Sequence, residues 1–228
     1  MKKAVVLVSG GLDSSTVLAM LDKDGYEIYA LSFNYSQNHL VEIAKIQSFI
    51  TRYNVKAHKI INLDLSAFNN SALIDKAIQV PKYSNVNDLG DQIPVTYVPA
   101  RNTIFLSYAL GYAEVIGAFD IFIGAHMTDS ANYPDCRPEY LKSFETMANL
   151  ATKLGVEGNR ININAPLINM SKAEIVAKGI ELEVDYSETI SCYDPTISAI
   201  SCGTCHACLV RLEAFKANGQ VDRIQYLR

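Results

Sequence analysis

Two apolar periods alternate along the 228-residue chain, one of a strand and one of a helix. Residues 4–8 (AVVLV) form an unbroken apolar run, as a strand buried on both faces does. Residues 14–24 then place Val17, Leu18 and Leu21 at helical spacing. A second strand is predicted over 27–34 (EIYALSFN), where aromatic and β-branched residues gather. Residues 40–53 predict an amphipathic helix with Ile43, Ile46 and Ile50 on one face, and 57–63 a third strand. Further on, 103–116 and 138–154 read as helices, 120–124 as a buried strand and 160–165 as the end of another. Ser171 and Glu174 have the S-x-x-E spacing of a capping box, and a last helix is expected over 209–217. This order predicts an α/β fold: a Rossmann-like parallel sheet with helices on both faces and ligands at the carboxyl ends of the strands. Only 64–99 breaks the rhythm, dissolving into Asn, Ser, Asp, Gly and Pro. A connection this long inside a compact unit marks a lid, a binding loop or a disordered segment.

Composition narrows the class. With 49% hydrophobic and 19% charged residues, the chain is an ordinary soluble globular protein. The expected organisation is an α/β domain over 1–186, with a small C-terminal subdomain over 187–228 packed on it. A formal charge of −4 argues against a large sequence-independent nucleic-acid surface. Met1-Lys2-Lys3 precedes an apolar run too short for a secretory signal, and nowhere do about 18 apolar residues run together. The expectation is a cytoplasmic protein with no membrane partner.

The first chemistry follows the first strand. Ser9-Gly10-Gly11-Leu12-Asp13-Ser14-Ser15 sits between that strand and the first helix. Glycines let the backbone turn tightly and approach an anion. The free N–H groups and dipole of the helix start then favour phosphate, with Ser9, Ser14 and Ser15 as hydroxyl donors. The Lys of the usual P-loop and the G-x-G-x-x-G of dinucleotide folds are both missing. The bland alternative is an ordinary strand-to-helix turn with Asp13 at a helix start.

Cys192, Cys202, Cys205 and Cys208 follow the spacing C-x9-C-x2-C-x2-C. Four thiolates suit tetrahedral zinc, and a closed set of four cysteines is structural rather than catalytic. An iron–sulfur cluster is the rival reading of C-x2-C-x2-C, and His206 is a possible substitute for one sulfur. Clustered cysteines in a chain without an export signal point to metal rather than disulfides.

Five segments then resemble one family, in order and across nearly the whole chain: SGGLDSS, TYVPARNTIFLS (96–107), YPDCRPE (133–139), TISCY (189–193) and CGTCHACLVR (202–211). SGGxDS is the mark of the PP-loop ATP pyrophosphatases, and the other segments resemble the 7-cyano-7-deazaguanine synthase family within them. The resemblance implies conversion of 7-carboxy-7-deazaguanine, ammonia and ATP to the nitrile, for queuosine or archaeosine, with one zinc, with Mg²⁺, and in a homodimer. It places Val8, Ser9, Gly10, Gly11, Leu12, Asp13, Ser14, Ser15 and Thr16 around the nucleotide. Asp13, Ser14, Arg101 and Lys172 fall in the catalytic positions, Asp13 as an indirect Mg²⁺ ligand. Asp129, Tyr133, Asp135, Cys136 and Arg137 fall in the deazaguanine pocket, Tyr133 to stack and Arg137 to pair with the substrate carboxylate. The four cysteines fall in the zinc site.

The chain departs from the family pattern in two places. Tyr35-Ser36-Gln37-Asn38-His39 lacks the Gly and Arg of the usual Y-G-Q-R-H, leaving His39 and Glu42 as ammonia or substrate contacts. Gly124-Ala125-His126-Met127-Thr128-Asp129 stands where Asp-Tyr-Ser-Gly is more usual ahead of Tyr133. Two other readings compete. A tRNA-thiolating or tRNA-lysinylating relative would need a basic surface or an extra domain, and a zinc-containing nucleic-acid module would leave SGGLDSS unused.

Overall fold

The computed structural model describes residues 1–35, 41–68, 70–90 and 92–227. Its centre is a five-stranded sheet of β1 (Lys3–Leu7), β2 (Glu27–Asn34), β3 (Val55–Asn62), β4 (Asp120–Phe122) and β5 (Asn162–Asn164). All neighbours are parallel, in the order β3-β2-β1-β4-β5. The order reverses beside β1, so the chain leaves its two neighbours in opposite directions and a crevice opens at their carboxyl ends. Among the described residues no helix is long and apolar enough to cross a membrane.

Period-2 geometry splits the apolar run of β1 between two cores. Ala4, Val6 and Val8 face one layer, which holds α1 (Leu12–Lys23), α7 (Lys172–Glu181) and α8 (His206–Ala217). Val5 and Leu7 face the other, built from α3 (Arg101–Ile116) and α5 (Pro138–Ala151). Helix α2 (Val41–Phe49) joins the first layer through Ile46 and Phe49.

Helix boundaries correct the sequence reading where local chemistry intervenes. The predicted helix over 138–154 breaks at Thr152, whose extended backbone lets its hydroxyl accept from Gly155 N–H and start α6 (Lys153–Val156). The last helix starts three residues early, at His206, so Cys208 lies in its first turn. A short α4 (Met127–Asn132), absent from the sequence reading, follows β4.

The 64–99 segment is anchored over much of its described length. Leu65, Leu73, Ile74 and Val98 form a small core of their own, and Tyr83 N–H donates to the Thr204 carbonyl at 2.8 Å. On the far edge, α5 closes the open side of β5 with side chains. Asn149 exchanges two hydrogen bonds with the Ile161 backbone (2.9 and 2.8 Å), and Glu145 accepts from Ile163 N–H at 3.1 Å.

One buried guanidinium joins the C-terminal region to the sheet domain. Arg211, 1% exposed, forks onto Asp222 at 2.6 and 3.1 Å. Its other donors reach Thr189 Oγ1 (2.8 Å), Ser191 Oγ (3.3 Å) and the Tyr186 carbonyl (2.9 Å). Tyr226 donates to the same Asp222 at 2.7 Å, which pins the last residues of the chain. Removing one partner of such a pair strands a charge in the interior. Asp222→Ala is therefore expected to lose about 3–5 kcal/mol, a fall in Tm on the order of 10 °C by thermal melting. An unchanged Tm would deny Arg211 this joining role.

Candidate active site

A cavity of about 260 Å³ lies at the carboxyl ends of β1, β2 and β4. Val8, Ser9, Gly11, Leu12, Asp13 and Ser14 form its floor. Gly10 takes a φ of 85°, the left-handed turn that glycine accepts without strain. Gly11 then starts α1 in extended geometry with no side-chain cap of its own. Leu12 N–H makes only a long 3.5 Å contact with Ser191 Oγ, so the helix start stays open to a ligand. The loop is braced from within. Ser9 and Ser14 hydroxyls meet at 3.2 Å, Gly11 N–H donates to Ser9 Oγ at 3.2 Å, and Ile190 N–H donates to the Gly10 carbonyl at 3.0 Å. Ser15 and Thr16, expected around the nucleotide, are buried within α1 and do not line the cavity. The Thr16 hydroxyl is taken up by the Leu12 carbonyl (2.9 Å) and Tyr186 Oη (2.7 Å).

Gly124, at the end of β4, is the second close approach. A Cβ there would stand 3.1 Å from Ser14 N and 3.3 Å from Asp13 C, tight enough that the loop would have to give by a few tenths of an ångström, so glycine eases the close passage after β4.

Two cations occupy helix starts that face this cavity. Arg101 is the first residue of α3 and Lys172 the first of α7, where the macrodipole disfavours positive charge. Ser171 caps α7 through the predicted box, accepting from Glu174 N–H at 3.3 Å. Lys172 Nζ reaches Asp13 Oδ1 at 2.6 Å and His126 Nε2 at 2.7 Å. Burial alone would raise the Asp13 carboxyl, but the charge and hydrogen bond of Lys172 hold it below its ordinary value. Asp129 moves the other way: burial raises it, helped by the nearby Asp13 charge, against the pull of Lys172. Arg101 donates to Tyr35 Oη at 3.3 Å and has no carboxylate within 4.0 Å among the described residues. Burial works against its charge, yet Tyr35, Tyr133 and Asp135 nearby push it further up and keep it cationic.

The candidate substrate residues separate into two groups. Asp129, Tyr133 and Cys136 line the cavity, with Tyr133 Oη held by Thr96 Oγ1 at 3.1 Å. Burial and the nearby Asp129 and Asp135 charges raise the Cys136 thiol, outweighing the hydrogen bond that Asn102 Nδ2 donates to its sulfur at 3.1 Å, which argues against a thiolate nucleophile. Asp135 and Arg137 stand outside the lining. Helix α3 begins after Ala100, a left-handed residue with no capping side chain, and the Asp135 carboxylate supplies the missing acceptor for Asn102 N–H at 2.9 Å. Arg137 is exposed and starts α5. His39 lies outside the described residues, as does the side chain of Glu42.

His126, His206, Ser191 and Tyr193 complete the lining, and sequence reasoning gave them no firm place. The signal available for His126 was position: it directly follows Gly124-Ala125 at the carboxyl end of a buried parallel strand, where ligands bind.

Next to the cavity, the sulfurs of Cys192, Cys202, Cys205 and Cys208 lie within 4.8 Å of one another, all buried and none in a disulfide. An ion about 2.3 Å from four sulfurs spaces them about 3.8 Å apart. The 4.0 Å separations of Cys202 from Cys208 and of Cys192 from Cys205 fit that demand. Backbone N–H groups of Cys202 and Asp194 point at Cys192 Sγ (3.2 and 3.3 Å), and that of Cys205 at Cys202 Sγ (3.2 Å), which favours thiolates. This is a four-cysteine metal site.

A glycine turn and helix start at the switch point of a parallel sheet, with cations converging on it, define an ATP-using α/β enzyme of the PP-loop pyrophosphatase class. Residues 3–219 match the family described as "Queuosine biosynthesis protein QueC". The 7-cyano-7-deazaguanine synthase of Rickettsia canadensis (strain McKiel) is 64% identical over 227 residues, covering 100% of each chain. That of Rickettsia rickettsii (strain Sheila Smith) is 64% identical over 226 residues, 99% of each. The chain belongs to the QueC family of 7-cyano-7-deazaguanine synthases. Among solved structures, a 4-thiouridine synthetase–RNA complex with bound ATP superposes with a TM-score of 0.50 at 20% identity. It covers 99% of this chain and 47% of that one, a likeness of fold alone.

The tight passage at Gly124 gives a direct test of the loop. Gly124→Ala is expected to raise KM for ATP about tenfold, the cost of moving the α1 start by a few tenths of an ångström. Metal content should not change. A wild-type KM would place the nucleotide elsewhere.

Proposed function

We propose that the cavity makes 7-cyano-7-deazaguanine by two successive adenylylations, first of the substrate carboxylate oxygen and then of the amide oxygen on the same carbon. The observation that carries this is the convergence of the α1 start, Lys172 and Arg101 on one anion-shaped site, with Asp129, Tyr133 and Cys136 beside it. The substrate carboxylate oxygen attacks the α-phosphate of ATP, the bond to the β-phosphate breaks, and pyrophosphate leaves. Ammonia then adds to the acyl carbon, loses a proton and expels AMP, giving the amide. The amide oxygen attacks the α-phosphate of a second ATP, the bond to the β-phosphate breaks and pyrophosphate leaves. Loss of AMP with the two nitrogen-bound protons then leaves the nitrile.

The residues contribute position and fixed charge. The α1 N–H groups and Ser9 and Ser14 hold the departing pyrophosphate. Lys172 meets the negative charge that builds on the α-phosphate. Arg101, a planar fork without a carboxylate of its own among the described residues, is the group that pairs with the substrate carboxylate. This moves that role from Arg137, which is exposed, to a residue in the cavity. Tyr133 stacks on the deazapurine and Asp129 accepts its ring N–H groups. Asp135 acts through Asn102, by fixing the start of the helix that carries Arg101. Mg²⁺ bound with the nucleotide screens the phosphates, with Asp13 the carboxylate of the loop that would face it.

Zinc is the metal that the four thiolates fit, in a closed and structural site. The chain is expected to work as a cytoplasmic homodimer.

The test is mass spectrometry of the protein with ATP, Mg²⁺, ammonium and 7-carboxy-7-deazaguanine, alongside elemental analysis. Two AMP and two pyrophosphate per nitrile are expected, with one zinc per chain, and Lys172→Ala should cut turnover at least 100-fold with zinc retained. ADP and phosphate would overturn the adenylate route, and an unchanged deazapurine would overturn the substrate.

A further inference from the structure

His126 is 2% exposed, and its ring makes an unusual set of contacts. Nε2 meets Lys172 Nζ at 2.7 Å and Asp129 Oδ2 at 3.2 Å, with Asp13 Oδ2 at 3.8 Å. Nδ1 is buried with no hydrogen-bond partner among the described residues. An imidazole nitrogen can accept one hydrogen bond or donate one, and a lysine ammonium can only donate. Accepting the short Lys172 contact takes the Nε2 lone pair, so the ring proton lies on Nδ1, where no described residue receives it. Asp129 Oδ2 at 3.2 Å is then a charge neighbour of the pair rather than a hydrogen-bond acceptor from the ring. A histidine kept only for packing would have no reason to hold this costly arrangement.

The gain lies at Lys172. Its ammonium has three N–H bonds on a flexible four-carbon stem. Asp13 Oδ1 takes one at 2.6 Å and His126 takes the second, so the direction of the third is set. A single carboxylate would leave the ammonium free to rotate about that contact. A second carboxylate would fix it but cancel the charge that an anionic ligand needs. A neutral acceptor fixes the direction and leaves the charge intact. The requirement is severe here, because Lys172 stands at the positive end of α7 and is pushed away from it.

We propose that His126 is a positioning residue that aims the third N–H of Lys172 at the α-phosphate of ATP. The inference rests on the reading of Lys172 given above. His126 touches neither substrate nor nucleotide in this role and acts only through Lys172.

The test is a double-mutant cycle with three replacements at residue 126: His126→Ala, His126→Asn and His126→Leu. Asn offers an acceptor oxygen in place of Nε2, whereas Leu fills the space and offers none. His126→Ala and His126→Leu are expected to lower kcat/KM for ATP at least tenfold, with KM for 7-carboxy-7-deazaguanine and zinc content unchanged. His126→Asn should recover most of that loss. In a Lys172→Ala background, His126→Leu should change neither residual turnover nor the Kd for a non-hydrolysable ATP analogue by more than twofold. Equal turnover in the Asn and Leu variants would overturn the proposal, and would do so even if the Ala variant fails to fold. So would a tenfold loss that persists without Lys172, which leaves the reading of Lys172 intact. Wild-type turnover in Lys172→Ala alone would remove that reading, and this inference with it.

Discussion

Helices α1, α3 and α7 point their N-termini at one cavity, and each of those positive ends repels the other two. The sequence adds to the strain by starting α3 with Arg101 and α7 with Lys172, cations where helix dipoles favour anions. Protein-supplied negative charge keeps the arrangement closed: Asp13 against Lys172 at 2.6 Å, with Asp129 behind it. On the proposed reading, the phosphates of the nucleotide would answer the starts of α1 and α7, and the substrate carboxylate that of α3. Affinity for the nucleotide and internal repulsion are therefore one property, and the carboxylates set the balance between them.

That balance depends on a brace outside the sheet. The segment from Thr189 to Cys192 runs beside the glycine turn, where Ile190 holds the Gly10 carbonyl and Ser191 Oγ receives Leu12 N–H at 3.5 Å. The same segment is gripped by Arg211 at Thr189 and Ser191, and ends in a cysteine of the metal site. The four-cysteine metal site thus sits two residues from a contact that shapes the glycine turn. Burying Arg211 is worthwhile only because its donors are matched on several sides, Asp222, Thr189 and the Tyr186 carbonyl among them.

Local pattern revealed what depends on local pattern. The strand–helix order, the span of β2, the Ser171–Glu174 box and the four cysteines could all be read directly, since each rests on periodicity or spacing. Long-range geometry stayed hidden. Asp135 lies between Tyr133 and Cys136, which both line the cavity, yet turns away because α3 lacks a cap of its own. Ser15 and Thr16 continue the motif in sequence, but a helix turns them toward the core within one turn. His126 carries no motif at all; only the meeting of α1, α4 and α7 gives it partners. Arg211 was visible as a letter in CGTCHACLVR, while its partner Asp222 lies in a tail with no pattern.

The outer edge of β5 has a consequence of its own. In most sheets an end strand offers a row of free N–H and C=O groups, a template on which another chain can add. Here Asn149 and Glu145 of α5 occupy that row and act as a substitute strand made of side chains. At the opposite end, β3 exposes Lys56 and Lys59, charges that resist pairing with a copy of themselves. The sheet is therefore finished at five strands. Crowded copies of this chain lack the easy route to fibrils, and any lasting contact between them has to be made by helix faces and loops.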